Sequence, residues 1–354
     1  MADTGSHPQT RILGLGLSYP PHILRQGDVR DLCRAVFAKR PALFQRMADV
    51  YDNAGIETRH SCVPIDWYRE PHGWVERSAL FEEHALQLLE DAARQALEQA
   101  DLSVADVDRI VCVSTTGIAT PSLDARLIGR LGLRSDVARL PVFGMGCAGG
   151  VNGMARAEEA ARANPGAVVL FLAVELCALT FRPQELDKSN IVASALFGDG
   201  AAAAVLRCGG AGDGPAIVTS AEHTWPDSLD VMGWRIEEDG LGVIFSRDIP
   251  ALIDRDLRPI VDRFLEGRSL TRADLGGYVM HPGGTKVLAA YRTALGVDDA
   301  SLDRAHDVLR RCGNMSSVTV LAVLERTVAD AARGPHLMAA LGPGFTAGLI
   351  LLDL

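Results

Sequence analysis

The chain has 354 residues, 48% of them hydrophobic, and a formal net charge of −10. That supplies enough apolar material for one large core or two domains, and it is too acidic for a general binder of nucleic acid or of an anionic membrane surface. Seven cysteines, an odd number without CxxC pairs or metal-type spacing, suggest neither a disulfide framework nor a metal site. No apolar run reaches the roughly 18 to 20 residues that span a bilayer, and the N-terminus carries no secretory pattern, so a cytoplasmic protein without stable membrane insertion is expected.

Short apolar strands alternate with longer amphipathic segments, which predicts an α/β protein. A strand is expected at 11–17, helices at 28–37 and 41–54, and a long helix at 79–100 with apolar positions at helical spacing. A strand at 109–114, a helix at 123–131, an extended segment at 139–143 and an Ala-rich helix ending near 163 follow, then strands at 167–174 and 201–206. The run GGAGDG at 209–214, just before Pro215, has almost no side chain to pack and is the best boundary between two halves, 1–210 and 211–354. Beyond it the alternation restarts, with a strand at 216–221, a helix at 251–266, a strand at 278–280 and helices at 285–293, 303–311 and 318–332. Two strands at 337–341 and 345–352 end the chain. This repeated order is compatible with an internal repeat, although residue identity does not establish one.

The segment GMGCAGG at 144–150 sets Cys147 among glycines between a strand and a helix start. A thiol there is open to a substrate, and its thiolate gains from the helix N-terminus; the same pattern also fits a tight turn around a small buried cysteine. In MHPGG at 280–284, His281 ends a strand, where ligands of α/β proteins usually sit, or it serves structure. Asn314, in CGNMSS at 312–317, precedes an apolar helix and reads as an N-cap or as an amide donor to a developing oxyanion. Gly342, Pro343 and Gly344 read as a hairpin turn.

Taken in order, GCAGG, HPGG, GNMSS and GPG resemble the motifs of the type III polyketide synthases, the chalcone-synthase-like branch of the thiolase superfamily. ALFGDGA at 195–201 and TTG at 115–117 with Pro121 add to the resemblance, which runs from about Arg11 to the end. It implies a thiolase-like fold of five layers, αβαβα, with two pseudo-symmetric halves, the first carrying the nucleophile and the second the histidine and asparagine. It further implies that Cys147 holds an acyl chain taken from acyl-CoA, activated by a Cys–His pair with His281. His281 and Asn314 would stabilise the enolate formed when malonyl-CoA loses carbon dioxide. No metal or organic cofactor is implied beyond the CoA thioesters, and a homodimer is.

Residue by residue, the resemblance puts Phe197 between a CoA entrance and the cavity and Arg46 on a CoA phosphate. Leu43 and Val50 stand where relatives carry basic residues, and Lys286 replaces part of that charge. Thr115, Glu175, Cys177, Thr180, Ser316 and Gly342–Gly344 would line the substrate cavity, Thr120 would reach the partner's cavity, and Val243 would be a small gate. A small gate with small cavity residues resembles the bacterial branch that takes long fatty acyl starters and makes alkylpyrones or alkylresorcinols. Trp234, where some relatives carry a small residue, bears on whether that route is open. A synthase resembling β-ketoacyl-acyl-carrier-protein synthase III is the alternative, sharing the fold and the Cys-His-Asn set. A papain-like protease is disfavoured because no aromatic follows Cys147 and the cysteine lies in the middle of the chain, and a catalytically dead scaffold would have lost the cysteine.

Overall fold

The structure is a computed structural model that describes residues 8–209 and 214–354. The N-terminal part carries β1 (Thr10–Ser18), β2 (His22–Arg25), α1 (Gln26–Val36), α2 (Pro41–Met47), α3 (Asp49–Asn53), β3 (Thr58–Ser61) and α4 (Trp74–Gln99). There follow β4 (Val107–Ser114), α5 (Leu123–Leu131), β5 (Ala138–Phe143), α6 (Gly149–Arg162), β6 (Val168–Leu176), α7 (Lys188–Leu196) and β7 (Asp199–Cys208). The C-terminal part carries β8 (Ala216–Thr224), β9 (Met232–Ile236), β10 (Leu241–Phe245), α8 (Ile249–Glu266), β11 (Gly277–Met280) and α9 (Thr285–Leu295). It ends with α10 (Asp303–Cys312), α11 (Ser317–Ala329), β12 (Pro335–Gly342) and β13 (Thr346–Asp353). The boundary expected at 209–215 lies partly on residues 210–213, outside the described residues.

Strand β6 is buried along its whole length because both its faces are covered, which is why its sequence is a continuous apolar run up to Glu175. Val169, Phe171 and Ala173 join a core with Val151 and Met154 of α6 and Val320 of α11. Val168, Leu170, Leu172 and Val174 face the other way, into a core with Leu89, Ala92 and Ala96 of α4. Among the described residues, nine strands form one sheet in the order β11-β12-β13-β8-β1-β7-β6-β4-β5. Its two parts follow one scheme. The run β1-β7-β6-β4 is antiparallel, antiparallel, parallel, and so is β8-β13-β12-β11. They meet through the pairing of Thr10 with Ile217 and Arg11 with Ala216. With α4 and α5 outside one part, α6 and α11 between the parts, and α8 and α9 outside the other, the layers are αβαβα.

The central layer depends on close helix contact. A Cβ on Gly150 of α6 would lie 2.2 Å from the carbonyl oxygen of Ser317 and 2.6 Å from Val320 Cγ1 on α11. The helix expected over 41–54 is divided into α2 and α3, because the N–H of Tyr51 bonds the carbonyl of Ala48 in a tightened turn while its hydroxyl pairs with Ser194. Three features absent from the sequence expectations are α7, the β2–β3 pair and the β9–β10 hairpin. Asp187 caps α7, its carboxylate accepting the N–H of Asn190 at 2.7 Å.

Gly150→Val should lower the unfolding free energy by about 1 to 3 kcal/mol through overpacking against the α11 backbone. Denaturant titration checks this, and an unchanged midpoint would mean that the two helices do not meet at Gly150.

Candidate active site

Cys147 sits on a single helical turn, Gly146–Ala148, that leads straight into α6, and Asn314 stands just before α11. Because these two helices cross at Gly150, their starts converge, and the Cys147 thiol points at Asn314 Oδ1 at 3.9 Å. Asn314 is held tightly. Its Oδ1 also accepts the N–H of Ser316 at 2.8 Å, its Nδ2 donates to the carbonyl of Gly283 at 3.2 Å, and its backbone bridges Phe197. That leaves one amide N–H of Asn314 without a partner among the described residues. The bond to Gly283 ties Asn314 to the turn that carries His281.

His281 follows β11, its backbone N–H bonded to the carbonyl of Ala339, and its ring is buried with neither nitrogen hydrogen-bonded. The Cys147 thiol bonds Asn314 and neither His281 nitrogen has a partner among the described residues, so the expected Cys–His bond is not formed. Burial is the physical reason that both groups stay neutral. It pushes the Cys147 thiol up to about 12, against the downward pull of Ser316 and Asn314, and it pulls the His281 imidazole down to about 3. The helix start is therefore outweighed by desolvation at this thiol.

Glu175 organises the floor. Its Oε2 accepts the N–H groups of Thr115 and Thr116 and the Thr116 hydroxyl, at 2.8 to 3.1 Å, and its Oε1 accepts the hydroxyls of Ser317 and Ser316 at 2.8 and 3.3 Å. Burial still pushes this carboxyl up to about 7, because the donors offset its loss of water only in part. The Thr115 hydroxyl turns the other way and accepts the N–H of Gly146, next to Cys147. Gly342 and Pro343 press on the same loop. A Cβ on Gly342 would lie 2.4 Å from the carbonyl oxygen of Met145, and one on Gly146 would lie 2.5 Å from Pro343 Cδ. Gly344 completes the turn between β12 and β13 with φ +71°.

Phe197, Cys177 and Ala193 are buried together and pack against Trp234, Val243 and Phe245 of the hairpin. Val243 lies directly across from Trp234, whose ring is centred 5.7 Å from that of Phe197, with Phe245 at 5.8 Å. Val243, expected as a small gate, therefore stands beside a bulky indole. Thr180 is buried beside this wall, its hydroxyl donating to the carbonyl of Cys177. Thr120 is exposed in the loop between β4 and α5, and Arg46 and Lys286 are exposed on α2 and α9 without a partner among the described residues. Thr116, Ser317 and Ala193 were missed in the sequence. The doubled threonine and doubled serine beside Thr115 and Ser316 were the available signal.

Because the thiol is held neutral, the rate of iodoacetamide alkylation of Cys147 should climb steadily between about pH 7 and about pH 10 as the thiolate fraction grows. A rate already level by neutral pH would indicate a preformed ion pair instead.

Comparison with known proteins agrees over the whole length. The sequence profile for chalcone and stilbene synthases, N-terminal domain, matches residues 2–211, and that for the C-terminal domain matches residues 216–353. The chain is 39% identical to a 1,3,6,8-tetrahydroxynaphthalene synthase of Streptomyces peucetius, covering 97% of this chain and 93% of the relative. It is 30% identical to an alpha-pyrone synthesis polyketide synthase-like protein of Mycobacterium tuberculosis, covering 97% and 91%. Among solved structures it is similar to the 1,3,6,8-tetrahydroxynaphthalene synthase of Streptomyces coelicolor, a bacterial type III polyketide synthase, with TM-score 0.92, 29% identity and coverage of 97% and 99%. The chain belongs to the chalcone and stilbene synthase family and is a type III polyketide synthase with the thiolase-like fold, a condensing acyltransferase.

Proposed function

We propose that the protein loads a long-chain fatty acyl group from acyl-CoA onto Cys147, extends it repeatedly with malonyl-CoA, and closes the product to an alkylpyrone or alkylresorcinol. The observation that carries the chemistry is the contact of the Cys147 thiol with the Asn314 amide, which Gly283 ties to the turn carrying His281, a ring with both nitrogens unpartnered among the described residues. In the loading step His281 accepts the thiol proton as sulfur attacks the acyl-CoA carbonyl, then returns it to the departing CoA thiolate. His281 and the remaining N–H of Asn314 next donate to the thioester oxygen of malonyl-CoA. Loss of carbon dioxide leaves an enolate at that position, which attacks the acyl carbonyl on Cys147 and releases the thiolate. Transfer of the lengthened chain back to Cys147 starts another cycle.

No metal or organic cofactor enters this scheme, since decarboxylation supplies the carbanion. Arg46 and Lys286, exposed and unpartnered, are proposed to meet the CoA phosphates. The pyrone outcome is supported by the mycobacterial relative, whose name assigns it to alpha-pyrone synthesis. The division into halves 1–210 and 211–354 belongs to the same reading, as does a homodimer. Strand β5 ends the sheet and is exposed along most of its length, with Leu140 44% and Phe143 61% exposed and Ile118 half-exposed nearby. An apolar edge of that kind calls for a partner, and a second copy would bring Thr120 towards the neighbouring cavity. No described helix is long and apolar enough to cross a membrane.

Asn314→Ala should still be acylated at Cys147 by a starter, yet release labelled carbon dioxide from malonyl-CoA on the order of a hundredfold to a thousandfold more slowly; Cys147→Ala should form no product. Undiminished carbon dioxide release from the asparagine variant would remove its oxyanion role. Sedimentation should give about twice the 37.8 kDa chain mass, and Leu140→Lys should shift it towards the monomer. A wild-type monomer with full activity would contradict the dimer.

A further inference from the structure

We infer that Trp225 is a positioning residue for the loop that carries Cys147, acting through the turn Gly342–Gly344. This rests on the reading of Cys147 as the acyl-bearing thiol. The turn and the residue after it face two neighbours. Gly342 and Pro343 bear on the Cys147 loop: a Cβ on Gly342 would lie 2.4 Å from the carbonyl oxygen of Met145 and 2.7 Å from Ala148 Cβ, and one on Gly146 would lie 2.5 Å from Pro343 Cδ. Gly344 and Phe345 are gripped by the residues that follow β8. The backbone N–H of Trp225 donates to the carbonyl of Phe345 at 3.0 Å, and the two rings are centred 4.7 Å apart. The Ser228 hydroxyl reaches the carbonyls of Trp225 at 2.6 Å and of Gly344 at 3.2 Å.

Phe345 gives the reason for this grip. It is fully buried with φ +36°, in the left-handed region that a bulky residue keeps only where its surroundings hold it. Trp225 is itself anchored. Its indole Nε1–H donates to Asp256 Oδ2 on α8 at 2.7 Å, and His223 stands edge-on to it with ring centres 4.7 Å apart. Arg255 orients the Asp256 carboxylate by donating to both of its oxygens, at 2.7 and 2.6 Å. A chain of contacts thus runs from α8 through the indole and Phe345 to the backbone beside Cys147. What it sets is the position of that backbone, and hence the aim of the thiol at Asn314, 3.9 Å away. A displacement of about 1 Å at reacting atoms costs on the order of a hundredfold in rate, so a turn slackened without being lost should cost about tenfold.

The test measures kcat and KM for malonyl-CoA on full-length variants. Rates are expressed per Cys147 that takes a starter acyl group, counted by mass spectrometry, so that misfolded protein does not enter. Trp225→Phe keeps an aromatic ring and loses the indole N–H, and Asp256→Leu loses the acceptor; each should lower kcat by about tenfold with KM within about twofold. Asp256→Asn keeps an acceptor oxygen and should stay within about twofold of the wild type. The double variant of Trp225→Phe and Asp256→Leu should be no slower than the slower single one, because both remove the same bond. In a Pro343→Ala background, where the contact with Gly146 is trimmed, Trp225→Phe should cost less than about threefold. An unchanged kcat in Trp225→Phe, a loss in Asp256→Asn as large as in Asp256→Leu, losses that multiply in the double variant, or a Trp225→Phe loss undiminished by Pro343→Ala each overturn the inference and leave the reading of Cys147 standing. If wild-type Cys147 takes no acyl group, that reading falls and the inference with it.

Discussion

Cys147 and Asn314 meet because two helix starts meet, and these meet because Gly150 allows the backbone of α6 to lie almost on that of α11. Each half of the fold contributes one of these helices, each inserted after an outer strand or helix of its own sheet segment. Cys147 and Asn314 thus occupy corresponding places in two similar halves. His281 follows β11 as Thr115 follows β4, so the remaining site residues also come from matching strand ends.

Two buried carboxylates fix what the helices bring together. Glu175 at the end of β6 gathers the turn after β4 and the first residues of α11 through donors from Thr115, Thr116, Ser316 and Ser317. Asp199 at the start of β7 accepts the N–H groups of Cys62 and Ala178 at 2.9 and 2.7 Å. Neither makes a direct ion pair among the described residues, and both lie at strand ends where loops would otherwise be free to choose their path. A hydroxyl or backbone N–H imposes direction as well as attraction, so these bonds fix the path of the loops they hold.

Most of the secondary structure was legible because its causes are local. The continuous apolar run of β6, the period of α4 and the Gly-Pro-Gly turn between β12 and β13 each announce themselves within a short window. Cys147, His281 and Asn314 could be named from motif order, and the structure brings Cys147 and Asn314 into contact. What could not be read depends on distant partners. Trp234 meets Phe197 only because a short, glycine-interrupted hairpin folds onto it. The neutral state of the thiol is likewise a product of burial by segments far apart in sequence, whereas the glycine-flanked helix start, taken alone, pointed to a stabilised thiolate.

The two ends of the sheet differ. At one end β11 is nearly sealed, with Tyr278, Val279 and Met280 buried, while at the other β5 lies open. Among the described residues the second half has no counterpart of β5; between β11 and α11 its chain forms α9 and α10 instead. This asymmetry governs growth. A molecule adhesive at both ends of its sheet could add copies without limit and build a fibre, but one with a single adhesive end is spent after one union, provided that union is symmetric. With β5 as the open sheet edge among the described residues, this chain offers a single such end.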